Sequence, residues 1–287
     1  MSKFLSAAAQ QEFDDEVKHE YQGMGSLADT VTRRRNVVGD IYKFRRMGKG
    51  LANQKASQAD VTPMDISHTL TNCGLENWNA PEYTDIFDQA EVNFDEQREL
   101  AKTIAKALGR RNDQLIIDSA SAVTYAATND SDPDTGRVFD ISATRNFDLQ
   151  AVRSAKGHLD DIEAEADGRH FVVRAQALQK LLEDTEVTSS DFNTVRALVN
   201  GELETYMGFK WHIIGTRTEG GLPGVATDRE AYAYQDAAIG HAEGIAARTE
   251  VNYVAQKTSW LANGLLKAGA VAREPQGIVK IQYNETV

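Results

Sequence analysis

The stretch Asn93–Ala127, NFDEQRELAKTIAKALGRRNDQLIIDSASAVTYAA, decides how the rest of the chain is read. Asn93 is placed to accept a hydrogen bond from a first helical turn, and Glu96, three residues on, to reciprocate, which is a capping-box start. Ile104, Leu108, Leu115, Ile116 and Val123 follow at helical spacings, with Ala101, Ala105 and Ala120 between them, so one side of a long helix is apolar. Gly109 interrupts the run at about 1 kcal/mol relative to Ala. Arg110 and Arg111 come directly after it, and their long stems can reach a partner. This helix is expected to be a spine, with outreach before it and a compact body after it.

Composition bounds the rest. The chain has 287 residues, 41% hydrophobic and 26% charged, enough for a sizeable core in one large domain or two. There is no run of about 18 apolar residues, so no membrane-spanning helix is expected. The opening MSKFLSAAAQQEFDDE turns acidic at once and lacks the apolar core of a signal peptide; residues 1–22 read as a short, partly helical acidic segment. Cys73 is the one cysteine. It excludes an intramolecular disulfide, fits a reducing compartment, and reads as a small inert side chain.

Charge is unevenly placed. The chain carries a net −12, yet between Val31 and Lys55 there are eight basic residues (Arg33, Arg34, Arg35, Lys43, Arg45, Arg46, Lys49, Lys55) against Asp40 alone, which leaves −19 elsewhere. Such an arm can bind nucleic acid, or it can bind the acidic body of a second copy. The second reading needs no outside partner, and the acidic remainder would repel a polyanion. Gly23, Gly25, Gly39, Gly48 and Gly50 break the segment, so one long helix is not expected there. Residues 51–92 are polar but dotted with Ile66, Leu70, Leu75, Trp78, Tyr83, Ile86 and Phe87. Met64–Thr71 and Tyr83–Glu91 read as the strands of a long hairpin. Too little apolar surface is present for a core of its own, so this extension is a lid or an arm packed on a neighbour.

After the spine, Asp130, Asp132 and Asp134 alternate in a turn-rich segment. The spacing fails for a calcium loop, which wants Gly one residue before Gly136 and Glu where Ile141 stands, so an acidic surface loop is expected. Val138–Ser142 reads as a strand, Phe147–Leu159 as a helix, His170–Arg174 as a buried strand and Ala175–Glu183 as a helix. A further helix runs from Ser190 to Gly201, then a strand over Gly208–Ile214. Arg248–Trp260, Ala268–Arg273 and Ile278–Tyr283 read as three more strands, the last two joined by a turn at Glu274-Pro-Gln-Gly277. The histidines never fall at metal-ligand spacing, and no nucleophile elbow, phosphate loop or dinucleotide fingerprint occurs. No catalytic, cofactor-binding or metal residue is therefore assigned.

Four stretches carry a resemblance: IAKALGRRNDQLIID (104–118), FVVRAQALQKLLEDTEVTSSDF (171–192), GFKWHIIGTRTEGGLP (208–223) and GAVAREPQGIVKIQY (269–283). In this order they resemble the major capsid proteins of tailed bacteriophages, podovirus-type, which share the Hong Kong 97 fold. The resemblance implies an α+β fold with an N-terminal arm (1–50), an extended E-loop (51–92), a spine helix and P-domain (93–140), an A-domain (141–262) and P-domain return strands (263–287). It implies no enzyme, but self-assembly through hexamers and pentamers into an icosahedral head around double-stranded DNA. The partners implied are copies of the chain, a scaffolding protein, a portal and a decoration protein, with no membrane; the places are the virion and, during assembly, the host cytoplasm. Candidate inter-subunit contacts are Arg33, Arg34, Arg35, Arg45, Arg46, Trp78, Phe87, Arg110 and Arg111. An encapsulin-like compartment shell, or a cytosolic α/β enzyme with a lid at 51–92, are the alternatives.

Overall fold

The computed structural model describes residues 23–87, 96–128, 132–141, 146–183, 205–225 and 227–285. The elements before the body are β1 (Thr32–Arg34), β2 (Ile41–Met47), β3 (His68–Gly74), β4 (Glu76–Asp85) and the spine helix α1 (Glu96–Ser121). There follow β5 (Tyr125–Ala126), β6 (Gly136–Asp140), α2 (Leu149–Asp161), β7 (Arg169–Arg174), α3 (Ala175–Glu183), β8 (Thr205–Tyr206) and β9 (Phe209–Ile214). The chain ends with β10 (Gly224–Val225), β11 (Asp228–Gln235), β12 (Ile239–Val254), β13 (Ser259–Ala272) and β14 (Ile278–Asn284).

Strands rich in apolar residues at consecutive positions are covered on both faces. In the eight-stranded sheet, β5-β6-β14-β11-β7-β9-β8 with β10 on β11, alternation sends neighbours to opposite sides. Phe171 and Val173 meet α2 and α3 with Trp211, Ala231, Ala233, Ile281 and Tyr283. Val172, Tyr232 and Tyr234 face the other way, onto Ile116 and Ile117 of α1 and Leu27 of the arm. Phe171 and Trp211 stack at 4.4 Å, with Phe147 edge-on to Phe171. Asp148 starts α2 by accepting the Ala151 amide at 2.9 Å.

The second sheet runs β1-β12-β13-β4. The amino-terminal half of α1 lies on it, with Ile104 and Leu108 buried among Ala262, Leu266 and Ala268. The third sheet is the two-stranded hairpin β2–β3, paired from Ile41↔Gly74 to Met47↔His68. Its base is seated by Phe44, Cys73 and Leu75 on Ala242. A Cβ on Gly240 would lie 2.7 Å from the Phe44 ring, so a glycine is required beneath it.

Three strand expectations are corrected. Arg248–Trp260 is not one strand: it crosses the turn Ala255–Thr258 of the β12–β13 hairpin, with Thr258 left-handed at φ 52°. The turn residues AQKT contain no Gly or Pro, so the alternation reads through it. The strand near residues 64–74 pairs not with Tyr83–Glu91 but with β2, inside the basic arm. Gly39, Gly48 and Gly50 flank that strand rather than break it. The two strands of 263–287 do not pair: β13 lies under α1, and β14 lies between β6 and β11 in the other sheet. Asn93, Asp130, Ser142 and the helix expected over 190–201 lie outside the described residues.

The arm is fixed to α1 at two points. Gly109 meets Gly25 backbone to backbone: a Cβ on Gly25 would sit 2.2 Å from the Gly109 carbonyl oxygen, and one on Gly109 2.7 Å from the Gly25 nitrogen. One turn on, the fully buried Asp113 carboxylate accepts the amides of Ser26 (3.0 Å) and Leu27 (2.9 Å) and a hydrogen bond from Arg217 Nη2 (2.7 Å). Farther along, β1 pairs parallel with β12. There Arg33 donates from Nε (3.0 Å) and Nη2 (2.6 Å) to Glu243 Oε1, which is 1% exposed as a residue.

Three buried histidines contribute to the response to acid; desolvation lowers His158 as well, and two are shifted furthest. His170 Nδ1 lies 3.0 Å from His212 Nε2; burial, then the neighbouring His212 and Lys210, pushes His170 from 6.5 down to about 4. His241, fully buried, also falls to about 4, because desolvation outweighs the pull of Glu243 and Arg33 opposes protonation.

Three outcomes are expected. Gly109→Ala destabilises by about 1–2 kcal/mol in urea unfolding, because the contact with Gly25 outweighs the helix-propensity gain of about 1 kcal/mol; Gly25→Ala costs more. Arg33→Ala costs about 3–5 kcal/mol by stranding the buried Glu243, whereas Arg34→Ala and Arg35→Ala stay within about 0.5 kcal/mol. Because all three histidine pKa values are depressed on folding, the unfolded chain binds more protons between about pH 6.5 and 4. Stability therefore falls as pH drops through that window, and His170→Asn or His241→Gln flattens the slope.

Candidate assembly surfaces

Two of the arm's eight basic side chains, Arg33 and Arg46, are answered by carboxylates of the same subunit. Arg33 holds Glu243 and reaches Asp29 at 3.0 Å. Arg46 lies in β2, whose alternation turns Phe44 and Arg46 to the body, and pairs with Asp134 at 2.6 Å. Asp134 belongs to the acidic loop, where its amide donates to Asp132 Oδ1. The one acid of the arm, Asp40, is paired with Lys267 at 2.6 Å, which lowers its pKa. Arg34, Arg35 and Arg45 are exposed, the carbonyl of Arg45 accepting from Arg273 Nε at 3.2 Å.

The paired arginines of the spine helix divide. Arg110 donates to the Gly23 carbonyl at 3.4 Å, where the arm crosses. Arg111 points the other way. Its guanidinium stands 4.1 Å over the Trp78 ring and pairs with Glu219 at 2.6 Å. Trp78 thus packs on its own subunit, beside Ile104, Leu108 and Leu266, with Arg111 as its lid. Phe87 is 71% exposed. The structure therefore brings Trp78 and Arg111 together, draws Arg33, Arg46 and Arg110 inward, and leaves Arg34, Arg35, Arg45 and Phe87 on the surface.

Sequence reasoning singled out Leu70 but missed the other exposed apolar side chains of the hairpin, which share its outer face with Lys43 and Arg45. Ile41, Met47 and Leu70 project outward from its strands, and Leu51 (82% exposed), Val61 and Met64 lie along the segment that joins them. Val38, just before β2, is 96% exposed. Exposed apolar side chains are ordinary singly, but here several lie on one hairpin and the segment that joins its strands. The outer end of the β12–β13 hairpin adds Val251 and Tyr253; across the sheet on β4, Tyr83 has Lys257 3.8 Å over its ring. The signal was present in IYKFRRM, where alternation places Phe44 inward and Ile41, Lys43, Arg45 and Met47 outward.

Reactive chemistry is sparse among the described residues. No group of three metal-ligating side chains occurs there, and no helix there is long and apolar enough to cross a membrane. Cys73 is buried, its thiol pushed up to about 11 by desolvation.

The comparisons with known proteins agree with this geometry. The phage capsid protein family matches residues 5–285. No curated protein matches the chain by sequence. Among solved structures, the capsid of cyanophage P-SCSP1u is 15% identical over 99% of this chain and 95% of its own, with a TM-score of 0.74. Mycobacterium phage Che8 is 18% identical over 97% and 98%, at 0.67. The head of Helicobacter pylori bacteriophage KHP40 is 10% identical over 96% of each, at 0.71. At such identities the likeness is one of fold, the Hong Kong 97-like capsid fold. The family match extends across the spine helix, both large sheets and the projecting hairpin. With that coverage the chain belongs to the phage capsid protein family and is a major structural subunit of the capsid shell.

Proposed function

We propose that the subunit closes an icosahedral head, through hexamers and pentamers of itself, around double-stranded DNA. The observation that carries this is the β2–β3 hairpin: its exposed apolar side chains are not covered by the described residues of the subunit that bears them. On a neighbouring copy they would gain burial worth about 25 cal/mol per Å². Many such contacts, repeated by symmetry, sum to a stable shell.

The division into an arm (1–50), an extension (51–92), a spine with P-domain (93–140), an A-domain (141–262) and return strands (263–287) belongs to the same proposal. Within it, β2 at the end of the arm joins the extension in overlying a neighbour. Arg34, Arg35, Arg45, Lys43 and Lys49 stand on or beside it, and their charge would steer and orient copies that are acidic elsewhere. Phe87 serves as an apolar anchor. Trp78 and Arg111 act as one stacked unit that shapes the surface beside β4. A scaffolding protein, a portal and a decoration protein are further partners, and assembly takes place in the host cytoplasm. The role is structural, without catalysis.

Expressed by itself and viewed by negative-stain microscopy beside size-exclusion chromatography, the protein should form closed shells or capsomer rings. Leu51→Asp with Val61→Asp should abolish these particles while leaving the unfolding midpoint unchanged. Arg34→Ala with Arg35→Ala should slow assembly and reduce its dependence on salt. Normal particles from the Asp double variant contradict the reading.

A further inference from the structure

The sheet β1-β12-β13-β4 has two outer edges of different character. β4 carries Pro81, which has no amide hydrogen to offer a further strand. β12 is paired with β1 only from Gly240 to Ala242. Beyond the irregularities between Glu243 and Arg248, its last seven residues, Arg248–Val254, run in regular register with β13. All of them are exposed or half-buried, and no described residue pairs with their outer edge. An open edge of this length is a template for another strand.

Beside that edge lies a groove of about 360 Å³. Its lining includes Met24 of the arm root, Leu108, Gly109 and Asn112 of α1, and Arg248 and Thr249 of β12. Asn112 is 6% exposed, and its Oδ1 has no hydrogen-bond partner among the described residues. An unanswered buried acceptor is costly, which marks the groove as the seat of a group carrying a donor. Thr249 faces α1, because it is paired with Gly264, where a Cβ would lie 2.3 Å from Ile104. Alternation puts Val251 and Tyr253 on the same face. Tyr253 is 47% exposed, its ring 5.3 Å from that of Trp260. It stands four residues from Thr249, about 14 Å along the strand, too far for its hydroxyl to reach the groove of its own subunit.

We propose that the outer parts of β12 from two copies pair edge to edge, antiparallel, about a two-fold axis through Val251. Thr249 then lies opposite the partner's Tyr253, whose ring enters the groove and whose hydroxyl donates to Asn112 Oδ1. Symmetry makes the exchange reciprocal. On the other face Glu250 accepts from the side-chain amide of the partner's Asn252. Arg248, 2.9 Å from Glu250, neutralises that carboxylate beside the axis. Other registers are poorer. An axis through Glu250 sets two carboxylates directly opposite each other. An axis through Thr249 runs the ladder into the irregularity before Arg248, and one through Asn252 runs it into the turn Ala255–Thr258. The chosen axis stands perpendicular to the joined sheet, so α1 lies on the same side in both copies, as a common shell wall requires. This pairing rests on the reading that copies of the chain associate, and it is a contact separate from the β2–β3 hairpin.

The test is disulfide trapping in the full chain. Val251→Cys sets two thiols across the axis within disulfide reach. Thr249→Cys is the control, its two thiols about 14 Å apart in this register. Cys73, buried and raised to about 11, does not compete. Under mild oxidation Val251→Cys should give a disulfide-linked dimer in about tenfold greater yield than the control, read by non-reducing electrophoresis and peptide mapping. Adding Tyr253→Phe should lower that yield about tenfold, since each subunit loses a buried hydrogen bond, whereas adding Tyr83→Phe on β4 should not change it. Microscopy of the same samples scores particles separately, so particles without the Val251→Cys disulfide would overturn this pairing and leave the shell reading standing. Equal yields from the two cysteine variants, or a yield indifferent to Tyr253→Phe, would overturn it as well.

Discussion

The fully buried Asp113 carboxylate is the interaction on which the arm's course depends. It sits on the long helix, out of water, and accepts two arm amides and one guanidinium hydrogen bond. Burying a carboxylate is tolerable only when its oxygens are satisfied, so the helix, the arm root and the Arg217 loop are each other's condition. The contact between Gly25 and Gly109 one turn away allows the close approach that this hydrogen bonding needs. From that anchor the arm passes Leu27 and Val31 into the core, adds β1 to the edge of β12 through Arg33 and Glu243, and delivers β2 to the surface. The projecting hairpin is therefore aimed by contacts made well before it.

The charge asymmetry acquires a division of labour. Arg33 and Arg46 are internal fasteners with named carboxylates, and Arg111 is the lid of Trp78. Arg34, Arg35 and Arg45 remain outside. Adjacent residues of one basic run thus do different work, because a strand turns successive side chains to opposite faces. In the proposed shell this would separate what keeps the protomer folded from what it offers to its neighbours: exposed charge would give orientation and rate, and the hairpin's apolar side chains the burial that holds a contact once made.

Much of the architecture was legible in the sequence, since it rests on long periodic segments. The spine helix, the strand at 169–174, the helix at 175–183 and the strand at 209–214 all follow from apolar spacing. Pairing was less legible. Nothing local in His68–Gly74 says that its partner is Ile41–Met47, and the turn AQKT hides the long β12–β13 hairpin because it lacks the usual turn residues. Asp113 and Glu243 were not singled out, because one acid among many in an acidic chain has no local mark of burial. Their roles exist only once distant segments converge. Trp78 shows the converse: an aromatic in a polar stretch suggested an anchor for another chain, and its ring lies under Arg111 of its own.

The central claim is that the exposed apolar side chains of the β2–β3 hairpin and of the segment joining its strands are covered by another copy in the assembled shell. Hydroxyl-radical footprinting of assembled particles against unassembled subunits tests it directly. Met47, Leu51, Val61 and Met64 should lose labelling on assembly, while buried Phe44 stays unlabelled in both states. Equal labelling of those four side chains in the two states would contradict the claim.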